Sequence, residues 1–304
     1  MIKMKYTMMN GQLTELKQAA IPVMDHGFLY GIGLFETFRT YHGKPSILGR
    51  HLERMAAGCN ELGIPFTADP DELEQWIARL LAANELEEAY IRYTVSAGEE
   101  LLGLPAGNYS EPNHIVFAKP LPAMPDEWYE KGKALQLLRT RRNTPEGQVR
   151  FKSLHYMNNI LAKRELMQYE QAVQLQAEGL MLTPEGHLAE GMVSNLFFVK
   201  DGMVFTPELS TGILPGITRE VVLEACKERK IPVTEGRYTW EALGGADEIF
   251  MTSSIQELVP ITAILDLPAA GYPALEISQG RIGPMTRELL HLYRIKAGRR
   301  DAAT

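Results

Sequence analysis

Three glycine turns set the strongest local constraint on this chain. Asn10-Gly11 follows the strand-like residues 5–9, Tyr41-His42-Gly43-Lys44 separates 35–40 from 46–48, and Asp201-Gly202 joins 195–200 to 203–206. Asn-Gly and Asp-Gly pairs suit two-residue type I′ turns, because both central residues must adopt positive φ. Each turn predicts a hairpin, so the sheets are at least partly antiparallel.

Helical periodicity is interleaved with these hairpins. Leu48, Leu52, Met55, Cys59 and Leu62 recur at spacings of three and four, as do Leu73, Trp76, Ile77, Leu80 and Leu81 after an Asp69-Pro70 start. Residues 153–171 lack Gly and Pro and predict a third helix; a fourth begins at Gly216-Ile217-Thr218. Residues 89–95, 114–118, 135–138 and 248–251 read as buried strands. Three prolines in seven residues, Lys119-Pro120-Leu121-Pro122-Ala123-Met124-Pro125, continue neither a helix nor a central strand. They place a linker at 120–133 between a small α/β domain over 1–119 and a larger one over 134–304 that carries Lys152. The fold class is α+β, without the regular βαβ repetition of a doubly wound sheet.

An apolar fraction of 45% and a charged fraction of 23% in 304 residues are globular values, which exclude disorder, collagen and small disulfide scaffolds. The 31 basic and 38 acidic residues leave a net charge of −7, which argues against bulk attraction to nucleic acid or an anionic membrane. No run approaches roughly 18 apolar residues, so no membrane span is expected. Residues 1–11 have no apolar core and do not read as a secretory signal. Cys59 and Cys226, far apart and each inside a helical pattern, read as buried thiols in a reducing cytoplasm.

Several chemical motifs are absent or incomplete. Tyr30-Gly31-Ile32-Gly33-Leu34-Phe35-Glu36 begins like a dinucleotide fingerprint but has Glu in place of the third glycine. There is no phosphate loop, nucleophile elbow or paired metal-ligand spacing, and His51, His114, His155 and His187 are scattered. Four segments carry more. Lys152, in Arg150-Phe151-Lys152-Ser153-Leu154, reads alone as a solvated amine; near other cations, such as Arg139, Arg141, Arg142 and Arg150, a lysine becomes a nucleophile. Glu190 precedes a hairpin and reads alone as a turn acid. Gly216-Ile217-Thr218 opens a helix, which serves either as simple capping or as a phosphate cradle. Met251-Thr252-Ser253-Ser254 ends a strand in hydroxyls that suit an anion or a turn.

Taken in order, Phe-Lys-Ser-Leu at 151–154, Glu-Gly-x-x-Ser-Asn-Leu-Phe at 190–197, Gly-Ile-Thr-Arg at 216–219 and the hydroxyl-rich strand end before Glu257 resemble the class IV aminotransferase family. Gly-x-Gly-x-Phe-Glu-x-x-Arg at 31–39 and Leu-Gly-Arg-His-Leu-Glu-Arg-Met at 48–55 extend the resemblance over nearly the whole chain. It implies a fold-type IV pyridoxal 5′-phosphate enzyme: a small N-terminal α/β domain, a larger C-terminal domain with a barrel-like β core, and a homodimer. By the same resemblance, Lys152 is the lysine that bonds the cofactor and moves protons, and Glu190 faces the pyridine nitrogen. Arg50, Ile217, Thr218 and Ser254 hold the phosphate, with Ser253 an accessory.

Within the family, Ser96-Ala97-Gly98-Glu99-Glu100-Leu101 lacks the Arg-x-His carboxylate trap of D-amino acid transaminases. Ser253-Ser254-Ile255-Gln256 replaces the Gly-Thr-Ala-Ala run of branched-chain enzymes, and Thr37 stands where those have glycine. Thr37, the Tyr93–Gly98 run and the Pro120 linker resemble 4-amino-4-deoxychorismate lyases, which form p-aminobenzoate and pyruvate for folate biosynthesis. The expectation is a cytoplasmic lyase with catalytic Lys152 and Thr37, acting on a small molecule supplied by aminodeoxychorismate synthase. The alternatives are a branched-chain or D-amino acid transaminase and a non-catalytic cofactor binder.

Overall fold

A computed structural model describes residues 4–67, 69–265 and 274–299; the first three residues of the 1–11 stretch lie outside the described residues. The chain divides into two compact units, Met1–Ala123 with Phe151–His155, and Met124–Arg150 with Tyr156–Thr304. The proline-rich stretch holds the first crossing between them.

The first unit contains β1 (Tyr6–Met9), β2 (Gln12–Glu15), α1 (His26–Leu29), β3 (Gly33–Tyr41), β4 (Lys44–Pro45), α2 (Leu48–Glu61), α3 (Pro70–Ala83), β5 (Tyr90–Ser96) and β6 (Asn113–Lys119). Its strands form one antiparallel sheet in the order β2-β1-β6-β5-β3-β4. Both predicted turns here have positive φ at each central residue, Asn10 and Gly11, then His42 and Gly43. The strand after the second turn is Lys44–Pro45 rather than 46–48, because Leu48 already opens α2. Leu48, Leu52, Met55 and Cys59 bury the inner face of α2 in the sheet core beside Leu34 and Phe38. Asp69 caps α3 by accepting from the Glu72 N–H at 2.9 Å, and Pro70 sits where a helix start needs no N–H.

The second unit contains α4 (Glu127–Glu130), β7 (Lys133–Leu137), α5 (Met157–Leu166), α6 (Glu170–Gln174), β8 (Glu178–Leu182), β9 (Leu188–Gly191), β10 (Asn195–Lys200), β11 (Met203–Pro207), α7 (Ile217–Arg229), β12 (Val233–Gly236), α8 (Trp240–Gly244), β13 (Glu248–Ser253), β14 (Glu257–Leu265), β15 (Leu275–Glu276) and α9 (Pro284–Lys296). Its sheet runs β12-β11-β10-β13-β14-β7-β8-β9, and β9 pairs back onto β10. Six strands, β10, β13, β14, β7, β8 and β9, therefore close a barrel-like ring, as the fold-type IV expectation requires. The single pair that closes it is Glu190 with Asn195. Leu135, Leu180, Leu188, Leu196, Ile249 and Ile261 fill its core.

The long helix expected over 153–171 is not formed. It is replaced by α5 and the shorter α6, with Ser153 to Tyr156 non-helical. The absence of Gly and Pro permits a helix, but the backbone of this segment is taken elsewhere: Phe35 N–H donates to the Lys152 carbonyl at 2.9 Å and Leu154 N–H to the Gly33 carbonyl at 3.0 Å. The same bonds explain why 151–155 groups with the first unit, whereas a division by chain position alone places Lys152 with residues 134–304. At the other end, the extended backbone of Tyr169 and its hydroxyl bond to Glu165 at 2.7 Å separate α5 from α6.

Candidate active site

In the first unit the site is organised by the alternation along β3. Leu34, Glu36 and Phe38 point to α2, as their core packing and ion pairs show. Phe35, Thr37 and Arg39 therefore share the opposite face. The Lys152 ammonium lies 4.8 Å from the Phe35 ring centroid, and the Arg92 guanidinium lies 3.6 Å from it. Arg92 is also the β5 partner of Thr37 in register. Lys152, Phe35 and half-buried Thr37 thus belong to one face of one sheet, with Arg92 as the neighbouring cation.

The two glycines of the incomplete dinucleotide pattern have a different task. A Cβ on Gly33 would stand 2.6 Å from the Val95 carbonyl and 2.8 Å from a Leu154 methyl, and one on Gly31 would stand 2.4 Å from the His155 ring. Gly31 also has φ +73. They form the seat on which the Lys152 segment lies against β3, and His155 Nε2 donates to the Tyr30 carbonyl at 2.8 Å. Gly33 opens a strand, so no strand-turn-helix phosphate loop exists there. Arg50 sits in the first turn of α2, half-buried.

In the second unit Glu190 stands at the barrel closure, 3% exposed. Arg142 Nε donates to its Oε1 at 2.8 Å, while Asn195 Nδ2 and the Leu214 N–H each donate to Oε2 at 3.1 Å. A carboxylate offers about four lone-pair directions, and three donors leave it one acceptor position. Arg142 is itself oriented by Asn158 and Asn159, whose side-chain Oδ1 atoms accept from Nη1 at 2.9 and 3.2 Å. Three of the four arginines expected to supply charge near Lys152 have other partners. Arg142 pairs with Glu190, Arg139 with Glu165 at 3.6 Å, and Arg150 donates to the Gly212 and Asn143 carbonyls. Burial and the nearby Arg142 push the Arg150 guanidinium down to about 10.

Helix α7 begins at Ile217 after Gly216, which has extended backbone and brings no side-chain cap. A helix start leaves its first N–H groups without intrahelical partners. The next residue, Thr218, is 2% exposed and its Oγ1 has no hydrogen-bond partner. A buried hydroxyl left unpaired costs free energy, so an uncapped helix start with such a hydroxyl fits an anion such as a phosphate group. A Cβ on Gly216 would stand 2.0 Å from Asn195 Oδ1, so glycine permits the approach of this turn to the barrel. Asn195 pairs in register with Thr252, whose buried Oγ1 also lacks a partner. Ser253 ends β13 with its Oγ accepting from Gln256 N–H at 3.1 Å, and Ser254 follows in the turn. In the second unit Asn195 therefore meets Glu190, Gly216 and, in register, Thr252, while Thr218, Ser253 and Ser254 follow the last two closely in the chain. Pattern reading named Arg142 only as a cation near Lys152 and Asn195 only as part of a motif, and missed that both donate to Glu190: a cluster of three arginines carries no sign of which one meets a carboxylate 48 positions away.

Comparison with known proteins identifies the family. The family model described as amino-transferase class IV matches residues 33–264. The chain is 41% identical over 257 residues to the aminodeoxychorismate lyase of Bacillus subtilis (strain 168), covering 84% of this chain and 85% of the relative. Among solved structures, the T.th. branched-chain amino acid aminotransferase with pyridoxamine 5′-phosphate superposes with TM-score 0.80 at 30% identity, covering 99% of this chain and 96% of that one. The 4-amino-4-deoxychorismate lyase of Pseudomonas aeruginosa gives TM-score 0.79 at 29% identity, covering 95% and 98%. With the family model spanning most of its length and the barrel closed at Glu190, the chain belongs to the class IV aminotransferase family.

Proposed function

We propose that this protein is a pyridoxal 5′-phosphate-dependent 4-amino-4-deoxychorismate lyase. The observation that carries the choice within the family is Thr37, a hydroxyl on the same face of β3 as Phe35, the ring that Lys152 covers. The identity to the Bacillus subtilis lyase supports it. Arg50, the α7 start at Ile217 and Thr218, and Ser253 with Ser254 are the groups assigned to the cofactor phosphate. Thr218 Oγ1 and the uncapped helix fit that role.

When bound, the cofactor supplies an electron-withdrawing ring that stabilises negative charge next to the substrate amine. Glu190 holds a proton on the pyridine nitrogen through its remaining acceptor position, keeping that ring cationic. With the cofactor in place, Lys152 would be the residue that holds it, and its amine would remove the proton from the ring carbon bearing the substrate amine. The Thr37 hydroxyl hydrogen-bonds the departing enolpyruvyl oxygen. The C–O bond breaks, the six-membered ring becomes aromatic, and the enol takes up the proton as pyruvate, so no water or oxidant is consumed.

The branched-chain transaminase reading is favoured by the near-equal superposition on the T.th. enzyme. The deciding assay compares p-aminobenzoate and pyruvate formation from synthase-generated aminodeoxychorismate with keto-acid formation from leucine, isoleucine and D-alanine, for wild type and Thr37→Gly. Rapid keto-acid formation without p-aminobenzoate would refute the lyase reading; wild-type lyase turnover in Thr37→Gly would refute the role of the hydroxyl. A cytoplasmic homodimer fed by aminodeoxychorismate synthase belongs to the same proposal. Exposed Val23, Phe28, Leu101, Leu102 and Leu104 in the first unit support a second copy as the covering surface.

A further inference from the structure

Between β3 and α2 the first unit buries a charged trio that the reaction chemistry above does not use. Glu36 accepts a two-pronged contact from Arg54, Nε to Oε1 at 2.8 Å and Nη2 to Oε2 at 2.6 Å. His51 Nδ1 lies 2.6 Å from Oε2 of the same carboxylate. The side chains of Glu36 and His51 are each 2% exposed and that of Arg54 is 16% exposed. Arg54 and His51 hold the Glu36 carboxyl down at about 2 against its burial, and burial pulls His51 below the usual histidine range. His51 is therefore neutral at pH 7 and donates from Nδ1, so the trio carries no net charge.

Buried ion pairs are poor sources of stability, because desolvation offsets the attraction; apolar residues of similar volume often serve as well. What such a trio does supply is register, since its geometry is satisfied in one alignment of strand and helix only. The alignment matters here because each member adjoins an assigned site residue. Glu36 lies between Phe35, under the Lys152 ammonium, and Thr37, while His51 directly follows Arg50. Lys152 is also close enough for its charge to act on His51.

We propose that Glu36, His51 and Arg54 are positioning residues that lock α2 to β3, setting the reach of the Arg50 guanidinium to the cofactor phosphate relative to Lys152 and Thr37. This rests on the assignment of Arg50 to the phosphate made above. His51→Leu removes the Nδ1 donor, whereas His51→Asn replaces it with an amide donor in nearly the same place.

The experiment measures pyridoxal phosphate affinity by visible absorbance after dialysis, and the 31P shift of the bound phosphate in the holoenzyme, for wild type, His51→Leu, His51→Asn and Arg50→Ala. The expected result is a Kd raised about tenfold in His51→Leu, equivalent to roughly 1.4 kcal/mol. A displaced 31P signal should accompany it, with both restored to near wild type in His51→Asn. Should His51→Leu fail to fold, the all-apolar replacement Glu36→Leu/His51→Leu/Arg54→Met keeps the test open. It should match wild-type thermal stability and still bind cofactor about tenfold more weakly. Wild-type affinity and an unmoved 31P signal in either folded variant, alongside a weakened Arg50→Ala, would overturn the clamp alone. Wild-type affinity in Arg50→Ala would overturn the phosphate assignment and the clamp with it.

Discussion

Replacing Glu190 by glutamine changes one oxygen into an NH2 group, and no orientation of that amide suits the site. With the NH2 in the Oε1 place it meets the Arg142 Nε–H, now 2.8 Å from an oxygen. With the NH2 in the Oε2 place it meets two donors, Asn195 Nδ2 and the Leu214 N–H. Turning the Asn195 amide over does not help, because its Nδ2 also donates to the Leu214 carbonyl at 2.9 Å. The substitution also strips the counter-ion from an arginine side chain that is 6% exposed. Removing one partner of a buried ion pair costs about 3–5 kcal/mol. We expect Glu190→Gln to lose about 3 kcal/mol of stability even without cofactor, in addition to its loss of turnover. Urea unfolding read by tryptophan fluorescence is suited to this, since Trp240 packs in the barrel core of the same unit. Arg142→Leu/Glu190→Leu removes both charges and should recover more than half of the loss. A Glu190→Gln midpoint within about 0.5 kcal/mol of wild type would refute the donor count at this carboxylate.

Thr218→Val should leave the cofactor-free protein as stable as wild type or more so, because it deletes an unpartnered buried hydroxyl, yet weaken cofactor binding by about 1 kcal/mol; parallel melting curves and cofactor titrations check the opposite signs. Gly216→Ala should weaken cofactor retention on dialysis and lower stability, since its Cβ would stand 2.0 Å from Asn195 Oδ1. The Glu36 carboxyl lies at about 2 when folded, against an ordinary 4.5, so its stabilisation is present above pH 4.5 and is lost as the pH falls toward 2; buried His51 adds a loss that begins below its ordinary 6.5. Acid titration should accordingly find Glu36→Leu/His51→Leu/Arg54→Met flatter than wild type across that window. Borohydride reduction of the holoenzyme followed by peptide mapping should leave the cofactor on Lys152, and an adduct on any other lysine would contradict the assignment.

Local chemistry made part of this protein legible from its residues. The turns at Asn10-Gly11, His42-Gly43 and Asp201-Gly202 could be read because positive φ is a property of two adjacent residues, and all six adopt it. Helices α2 and α3 could be read because spacing and an Asp69-Pro70 cap are local as well. The order of the four motifs identified the family, and with it the barrel-like core, without any distance being known.

The tertiary structure decided what depends on residues far apart in the chain. Closure of the barrel rests on one pair, Glu190 with Asn195, and the choice of Arg142 among three neighbouring arginines is made by a strand end 48 positions away. The stretch 153–171 had nothing against helix in its own composition, yet β3, more than a hundred residues earlier, takes the backbone groups of Lys152 and Leu154. Gly31 and Gly33 looked like half of a nucleotide loop and prove to be the space into which Leu154 and His155 fit. Secondary-structure preference is worth tenths of a kcal/mol per residue, whereas a buried hydrogen bond or charge left unpaired costs several times more. Where the two disagree, as at Lys152, the non-local partner prevails.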